Sequence, residues 1–217
     1  MPAFPPPDRL GIKICGLTSL DQTEAVIASG ADAIGFNFWP HSKRYLPLDA
    51  ARSWLPNLTA GPALIAVVVN PDAELLDALI TSRLFHSIQL HGDESPQDVA
   101  TLMARGVHII KALQVRDESS LLAIADYPCP DILLDAFNPG LYGGVGEPFP
   151  WHLFELARQR FPQKRLILSG GLTPENIAQA VSQTRPAAID VASGVESSPG
   201  IKDLDKVRAF ITQARSV

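Results

Sequence analysis

The sequence predicts an α/β fold, a single (β/α)8 TIM barrel, on three observations. Eight short apolar or β-branched runs alternate with eight longer segments of helical periodicity, and strict strand–helix alternation builds a parallel sheet. The 217 residues match the ~200 or more that such a barrel needs. The competing doubly wound sheet has no support, since no GxGxxG follows the first strand and no composition break divides the chain.

The elements follow in order. Residues 1–10, "MPAFPPPDRL", read as a loose proline-rich arm, and residues 11–217 as the barrel. The first strand, "GIKIC", places Lys13 and Cys15 on one face and Ile12 and Ile14 on the other, because side chains alternate along a strand. "LDQTEAVIASG" is the first helix, with Gly30 where a C-terminal helix glycine belongs. "DAIGFNF" is the second strand; the long loop "WPHSKRYLP" carries Arg44 before the helix "PLDAARSWL". "ALIAVVV" and "PDAELLDALI" form the third unit. "SIQLH" ends at His91 with Gln89 on the same face, and Ser95 followed by Pro96 caps the helix "SPQDVATLMARG", closed by Gly106. "VHIIKAL" carries Lys111 near its end and precedes "ESSLLAIADY". "DILLDA" presents Asp135 at its end before the helix "WHLFELARQRF". "RLILSG" runs into Gly170 and Gly171, then into "TPENIAQAVSQ", where Thr173 and Pro174 read as cap and first turn. "AAIDVAS" ends the sheet at Ser193 and Gly194, and "KDLDKVRAFITQARSV" is the last helix.

Composition narrows the function. The chain is 46% hydrophobic and 19% charged, as in an ordinary globular protein. Its net charge of −5 argues against a nucleic-acid surface. The longest apolar runs fall far short of the roughly 20 residues that span a bilayer. The N-terminus lacks the basic start and apolar core of an export signal, and two cysteines, Cys15 and Cys129, make neither a disulfide framework nor a metal spacing. The expected setting is the cytoplasm with reduced thiols. No nucleic acid or membrane is expected as a partner, for a chain that can act as a monomer.

Functional groups of (β/α)8 barrels gather at the C-terminal strand ends, where this sequence collects its polar residues. Gly170, Gly171, Ser193 and Gly194 follow adjacent last strands. Such turns often bind phosphate through exposed backbone N–H groups, although glycine alone needs no more than a tight turn. Cys15 is by itself a small buried hydrophobe, and Asp135 a loop cap. Together at one mouth they make a general base and a general acid, with Lys13 favouring the thiolate. Arg44, a surface arginine by default, offers a planar donor for a carboxylate. His91, Gln89 and Lys111 sit where a substrate would touch them. No His, Asp or Glu cluster has metal spacing, so no metal is expected.

"KICGLTS", "GADAIGFNFWPHSKRYL", "VVVNP", "IQLHGDE", "IIKAL", "LLDAF", "GGVGEPFPW", "LSGGLTPENI" and "IDVASGVESSPGIKD" occur in the order found in phosphoribosylanthranilate isomerases, and from Gly11 onward the chain resembles that family. The resemblance implies a (β/α)8 barrel of tryptophan biosynthesis that needs no metal or organic cofactor. It implies an Amadori rearrangement of N-(5-phosphoribosyl)anthranilate to the carboxyphenylamino deoxyribulose phosphate. By the same resemblance, Cys15 removes the C2 proton, Asp135 protonates the ribose ring oxygen and Arg44 holds the anthranilate carboxylate. His91, Gln89, Lys111 and Gly144 line the substrate, and Gly170, Gly171, Ser193 and Gly194 take the phosphate. Three positions depart from the family pattern: Val145 for a threonine, Pro150 for an aspartate that would cap the next helix, and Lys43 for the proline before the loop arginine. Two other readings stay open on the residues alone: a different phosphosugar epimerase or isomerase on the same scaffold, and a phosphate-binding module without chemistry.

Overall fold

A computed structural model describes residues 4–58, 61–137 and 149–217. Eight strands close into one parallel barrel: β1 (Gly11–Cys15), β2 (Ala33–Asn37), β3 (Ala63–Val68), β4 (Ser87–Leu90), β5 (Ile109–Val115), β6 (Asp131–Ala136), β7 (Arg165–Leu168) and β8 (Ala188–Val191). Each pairs with its sequence neighbour and β1 with β8, so no strand edge is left open. Around it lie α1 (Leu20–Ala28), α2 (Leu48–Trp54), α3 (Ala73–Ser82), α4 (Pro96–Ala104), α5 (Trp151–Arg160), α6 (Ile177–Thr184) and α7 (Leu204–Arg215). None of the described helices is long and apolar enough to cross a membrane.

The period-two pattern sorts the strands into two cores. Ile12, Ile14, Ile34, Ile132 and Leu134 face outward and pack under helix residues such as Val26, Val99, Phe154 and Phe210. Ile65, Val67, Ile110, Ala112, Leu133 and Ile167 fill the barrel interior, where Cys15 also lies. Several helix signals act as expected. Ser95 and Asp98 form a reciprocal capping box at α4, and Gly30 and Gly106 take φ of 94° and 80° after α1 and α4.

Four features differ from the sequence reading. The segment after β5 is a 3-10 helix (Glu118–Ala125), capped by Asp117; its buried Leu121 and Ile124 are three apart and so share one face of a three-residue turn. The α6 helix starts at Ile177 rather than at Thr173. Asn176 Nδ2 donates to Gly171 O and its Oδ1 accepts from Thr173 N–H, which makes the 173–176 stretch a separate turn. Lys202 belongs not to the last helix but to a hairpin, β9 (Glu196–Ser198) with β10 (Ile201–Lys202), and Asp203 caps α7 in its place. Pro150 precedes α5 with no side-chain cap, as its departure from the family pattern implies.

The fourth difference concerns the arm. From Phe4 it is held against the barrel: the Phe4 ring is 1% exposed and joins the interior core. Small residues at the N-terminal rim make its socket. A Cβ on Gly11 would fall 2.8 Å from Cε2 of Phe4 and 3.0 Å from Cβ of Ala188, while Ala33 and Ala63 complete the cluster. Pro5 O also accepts from Arg165 Nη1 at 3.3 Å. The arm is loose in composition only, because one aromatic side chain gains more from burial than a proline-rich tether loses.

Phe4 thus closes the floor of the barrel, opposite the end where the strand-terminal polar groups lie. Phe4→Ala is expected to cost about 3 kcal/mol of stability, as for other buried phenylalanines, in a denaturant titration. The same variant should keep the catalytic rate of the intact protein at a temperature where it remains folded.

Candidate active site

Cys15 is the last residue of β1 and is buried. Its neighbour on β2 is Gly35, and a Cβ there would lie 2.7 Å from the Cys15 sulfur and 3.0 Å from Lys13 Nζ. The missing side chain is what lets a thiol and an ammonium share one layer of the barrel. Lys13 Nζ donates to Asp190 Oδ1 at 2.8 Å across the β1–β8 pair, where the two residues are register partners.

The electrostatics of this layer correct one expectation. Burial disfavours the Lys13 ammonium, yet Asp190 and Cys15 outweigh it and hold its pKa above the ordinary lysine value. For Cys15, burial dominates and pushes the thiol above its usual pKa; Lys13 and Lys202 pull down, and Asp190 pushes up. Lys13 does favour the thiolate, as the sequence reading holds. Its charge is shared with Asp190, however, and does not overcome desolvation.

Asp135 is 5% exposed at the end of β6. Its Oδ1 accepts from Ala136 N–H at 2.9 Å, and its Oδ2 stands 3.2 Å from His91 Nε2. Gln89 points into the barrel and its Nε2 meets His91 Nδ1 at 3.0 Å. Gln89, His91 and Asp135 thus form one hydrogen-bonded chain across the mouth. Gln89 Oε1 is buried with no partner among the described residues, a free acceptor inside the mouth. Gln114, on the long β5, is the register partner of Asp135 and went unremarked in the sequence.

Arg44 lies in the loop between β2 and α2. Its stem crosses Gly16, φ 85°, where a Cβ would collide with Arg44 Cδ. Ser42 Oγ accepts from Arg44 N–H at 3.1 Å, and Leu46 N–H donates to Asn37 O at 2.8 Å, so the loop is tied on both sides of Lys43 and Arg44. The guanidinium donates through Nε and Nη2 to Glu196 Oε1 and Oε2, both at 2.7 Å. Lys202 Nζ donates to the same Glu196 Oε1 at 2.8 Å and to Ala192 O at 3.0 Å. Burial works against the Glu196 carboxylate, but Arg44 and Lys202 hold its pKa below the usual range. Burial also lowers Lys202, with Glu196 opposing. Asp190, Glu196 and Lys202 were not picked out from the sequence. The signal for the last two was the Pro199–Gly200 turn between them, which reads as a hairpin.

After β7, Gly170 and Gly171 take φ of 91° and 63°. A Cβ on Gly170 would come within 2.9 Å of Ala136 N and 3.1 Å of Asp135 Oδ1, and one on Gly194 would strike Leu172 O. The two turns therefore pack against each other and against the Asp135 strand end, as two halves of one anion cradle would. Ser193 opens the short turn Ser193–Val195 after β8.

Lys111 does not belong to this mouth. It shares the outward face of β5 with Ile109, because Ile110 and Ala112 take the interior. Its Nζ donates to Glu94 Oε2 at 2.8 Å and Gly92 O at 2.7 Å, beneath the ring of Tyr127. Glu94 in turn accepts from Asn70 N–H and Gly92 N–H. Lys111 thus braces the turn that carries His91, on the outer side of the wall and away from the mouth where the sequence reading set it among substrate contacts. Gly144 and Val145 lie outside the described residues. Among the described residues no three His, Cys, Asp or Glu side chains group so as to hold a metal ion.

Known proteins match this architecture. The family model described as N-(5'-phosphoribosyl)anthranilate isomerase covers residues 12–213. An N-(5'-phosphoribosyl)anthranilate isomerase of Trichlorobacter lovleyi is 42% identical over 208 residues, 94% of this chain and 97% of the relative. One of Thiobacillus denitrificans is 42% identical over 207 residues, 94% and 98%. The crystal structure of the phosphoribosyl anthranilate isomerase of Thermotoga maritima superposes with a TM-score of 0.84 at 38% identity, covering 96% of this chain and all (100%) of that one. A solved complex of such an isomerase with reduced 1-(o-carboxyphenylamino)-1-deoxyribulose 5-phosphate gives 0.82 at 35% identity, with coverage of 96% and 100%.

The raised thiol has a measurable sign. A group whose pKa is raised keeps its proton to higher pH, so the Cys15 thiolate should emerge only above the ordinary thiol value of about 8.5. The difference in ultraviolet thiolate absorbance between wild type and Cys15→Ser, followed against pH in the ligand-free protein, reports it. Onset at neutral pH or below would show that Lys13 outweighs burial.

Proposed function

Because the chain belongs to the N-(5'-phosphoribosyl)anthranilate isomerase family, we propose that Cys15 and Asp135 are the base and acid with which it converts N-(5'-phosphoribosyl)anthranilate into 1-(2-carboxyphenylamino)-1-deoxyribulose 5-phosphate. The observation that carries this reading is their joint placement. Each ends an inward-facing row of its strand, one beside an ammonium and the other beside an imidazole.

The chemistry follows the order of bond changes. A protonated Asp135 gives its proton to the ribose ring oxygen as the C1–O bond breaks, and the anilino nitrogen lone pair forms the C=N bond of an iminium ion. That cation makes the C2 proton acidic. The Cys15 thiolate takes it, the C–H electron pair becomes the C1=C2 bond, and the nitrogen regains its lone pair. The enol then loses its hydroxyl proton while C1 gains one, which yields the ketone. Each positioned proton transfer contributes roughly 10²–10⁴-fold.

The remaining groups bind and orient. Arg44 receives the anthranilate carboxylate, the turns at Gly170, Gly171, Ser193 and Gly194 take the phosphate, and His91 with Gln89 lines the space between. His91 also steadies the carboxyl of Asp135. This places the protein in tryptophan biosynthesis, and its two unpaired thiols suit the reducing cytoplasm.

Two variants test the assignment. Cys15→Ser and Asp135→Asn should each lower kcat by about 10³-fold, by loss of one positioned proton transfer, with the melting temperature close to wild type. The turnover assay is the loss of substrate fluorescence. A serine variant within about threefold of wild type would make Cys15 a packing residue, since a hydroxyl near neutral pH is a far weaker base. Inorganic phosphate should compete with substrate in the wild type and fail to bind folded Gly171→Glu, whose carboxylate would face the cradle.

A further inference from the structure

We propose that Glu196 is a positioning residue that sets which edge of Arg44 meets the substrate, and so controls selection for a carboxylated aromatic ring. The proposal rests on the reading that Arg44 receives that carboxylate. Three observations carry it: the side-on clamp, its burial, and the charge balance around it.

A guanidinium has two edges able to grip a carboxylate with two parallel N–H bonds. Glu196 occupies the edge formed by Nε and Nη2, at 2.7 Å each. Nη1 donates to no group among the described residues, so the edge formed by Nη1 and the second N–H of Nη2 remains for a ligand. Clamping one edge fixes the plane of the other. The stem lies across Gly16, next to Cys15, which puts Arg44 at the thiol end of the mouth.

Glu196 is itself held from several sides. Gly200 N–H donates to Oε1 at 3.3 Å, Lys202 to the same oxygen, and Lys206 Nζ to the backbone O at 3.0 Å. Thr18 Oγ1 donates to Gly200 O at 3.3 Å, which ties the hairpin to the loop after β1. The side chains of Arg44, Glu196 and Lys202 are 12%, 5% and 0% exposed. Among these three buried side chains, two cations against one anion leave a single net positive charge. That is the charge one carboxylate requires, and an uncharged ring cannot compensate it.

Without the clamp the site changes in kind. In Glu196→Gln, one end of the amide presents N–H groups to a cation it formerly paired, and the guanidinium loses its fixed plane. The carboxylate then meets a mobile cation in place of a preset pair of donors.

The test compares two ligands by calorimetry. One is reduced 1-(o-carboxyphenylamino)-1-deoxyribulose 5-phosphate, and the other the same compound without the ring carboxylate. The wild type should prefer the carboxylated ligand by about 100-fold, the value of one charge-assisted, two-pronged contact. Glu196→Gln should reduce that preference to below about fivefold, while inorganic phosphate binds as in wild type. Glu196→Asp keeps the charge but is too short to reach both nitrogens, so it should fall between the two. It also serves if the glutamine variant does not fold. In an Arg44→Ala background, Glu196→Gln should change the preference no further. A glutamine or aspartate variant that keeps the full wild-type preference overturns the role of Glu196 and leaves the Arg44 assignment standing. A wild type with no preference overturns both.

Discussion

Desolvation is the constraint on which this barrel mouth depends. A buried charge without a partner costs several kcal/mol, so every ionisable group placed there must meet an opposite charge or a fixed dipole. Lys13 has Asp190, Arg44 and Lys202 share Glu196, Asp135 has His91, and behind the wall Lys111 has Glu94. The geometry of the site is the geometry of these pairs. Removing one member leaves the other stranded, which makes the network rigid as well as polar.

The same constraint explains why the thiol is held back in the absence of ligand. For the Cys15 thiol in a dry pocket, neutrality is the lower-energy choice. Its neighbour Lys13 is already matched by Asp190, so only part of that positive charge acts on the sulfur. A positive charge formed on the substrate side would supply the missing field and favour the thiolate there.

Much of this was legible in the sequence. Alternation gave eight strands, and Cys15, His91 and Asp135 stood out because a strand-end position in a barrel implies a place at the mouth. What was not legible depended on face, pairing or the third dimension. Lys111 sits near a strand end like the others, but parity puts it on the outer side, and only the fill of the interior by Ile110 and Ala112 decides that parity. Glu196 and Lys202 are ordinary charges until a hairpin too short for any periodicity signal brings them to Arg44. Gly35 is invisible as a functional residue, because its contribution is the absence of a side chain beside Cys15.

The Phe4 socket has a consequence for how the chain can be rearranged. The barrel wall closes on itself by hydrogen bonds between its first and last strands, but its floor is closed by a ring that hangs on a tether. Residues 5–10 are that tether, and their length works as a ruler. A fusion partner placed upstream of Phe4 leaves the measured span intact, whereas a residue inserted or deleted within it pulls the ring out of register with Gly11 and Ala188. Additions upstream of Phe4 therefore leave the floor in place, while residues 5–10 are held to a fixed gauge.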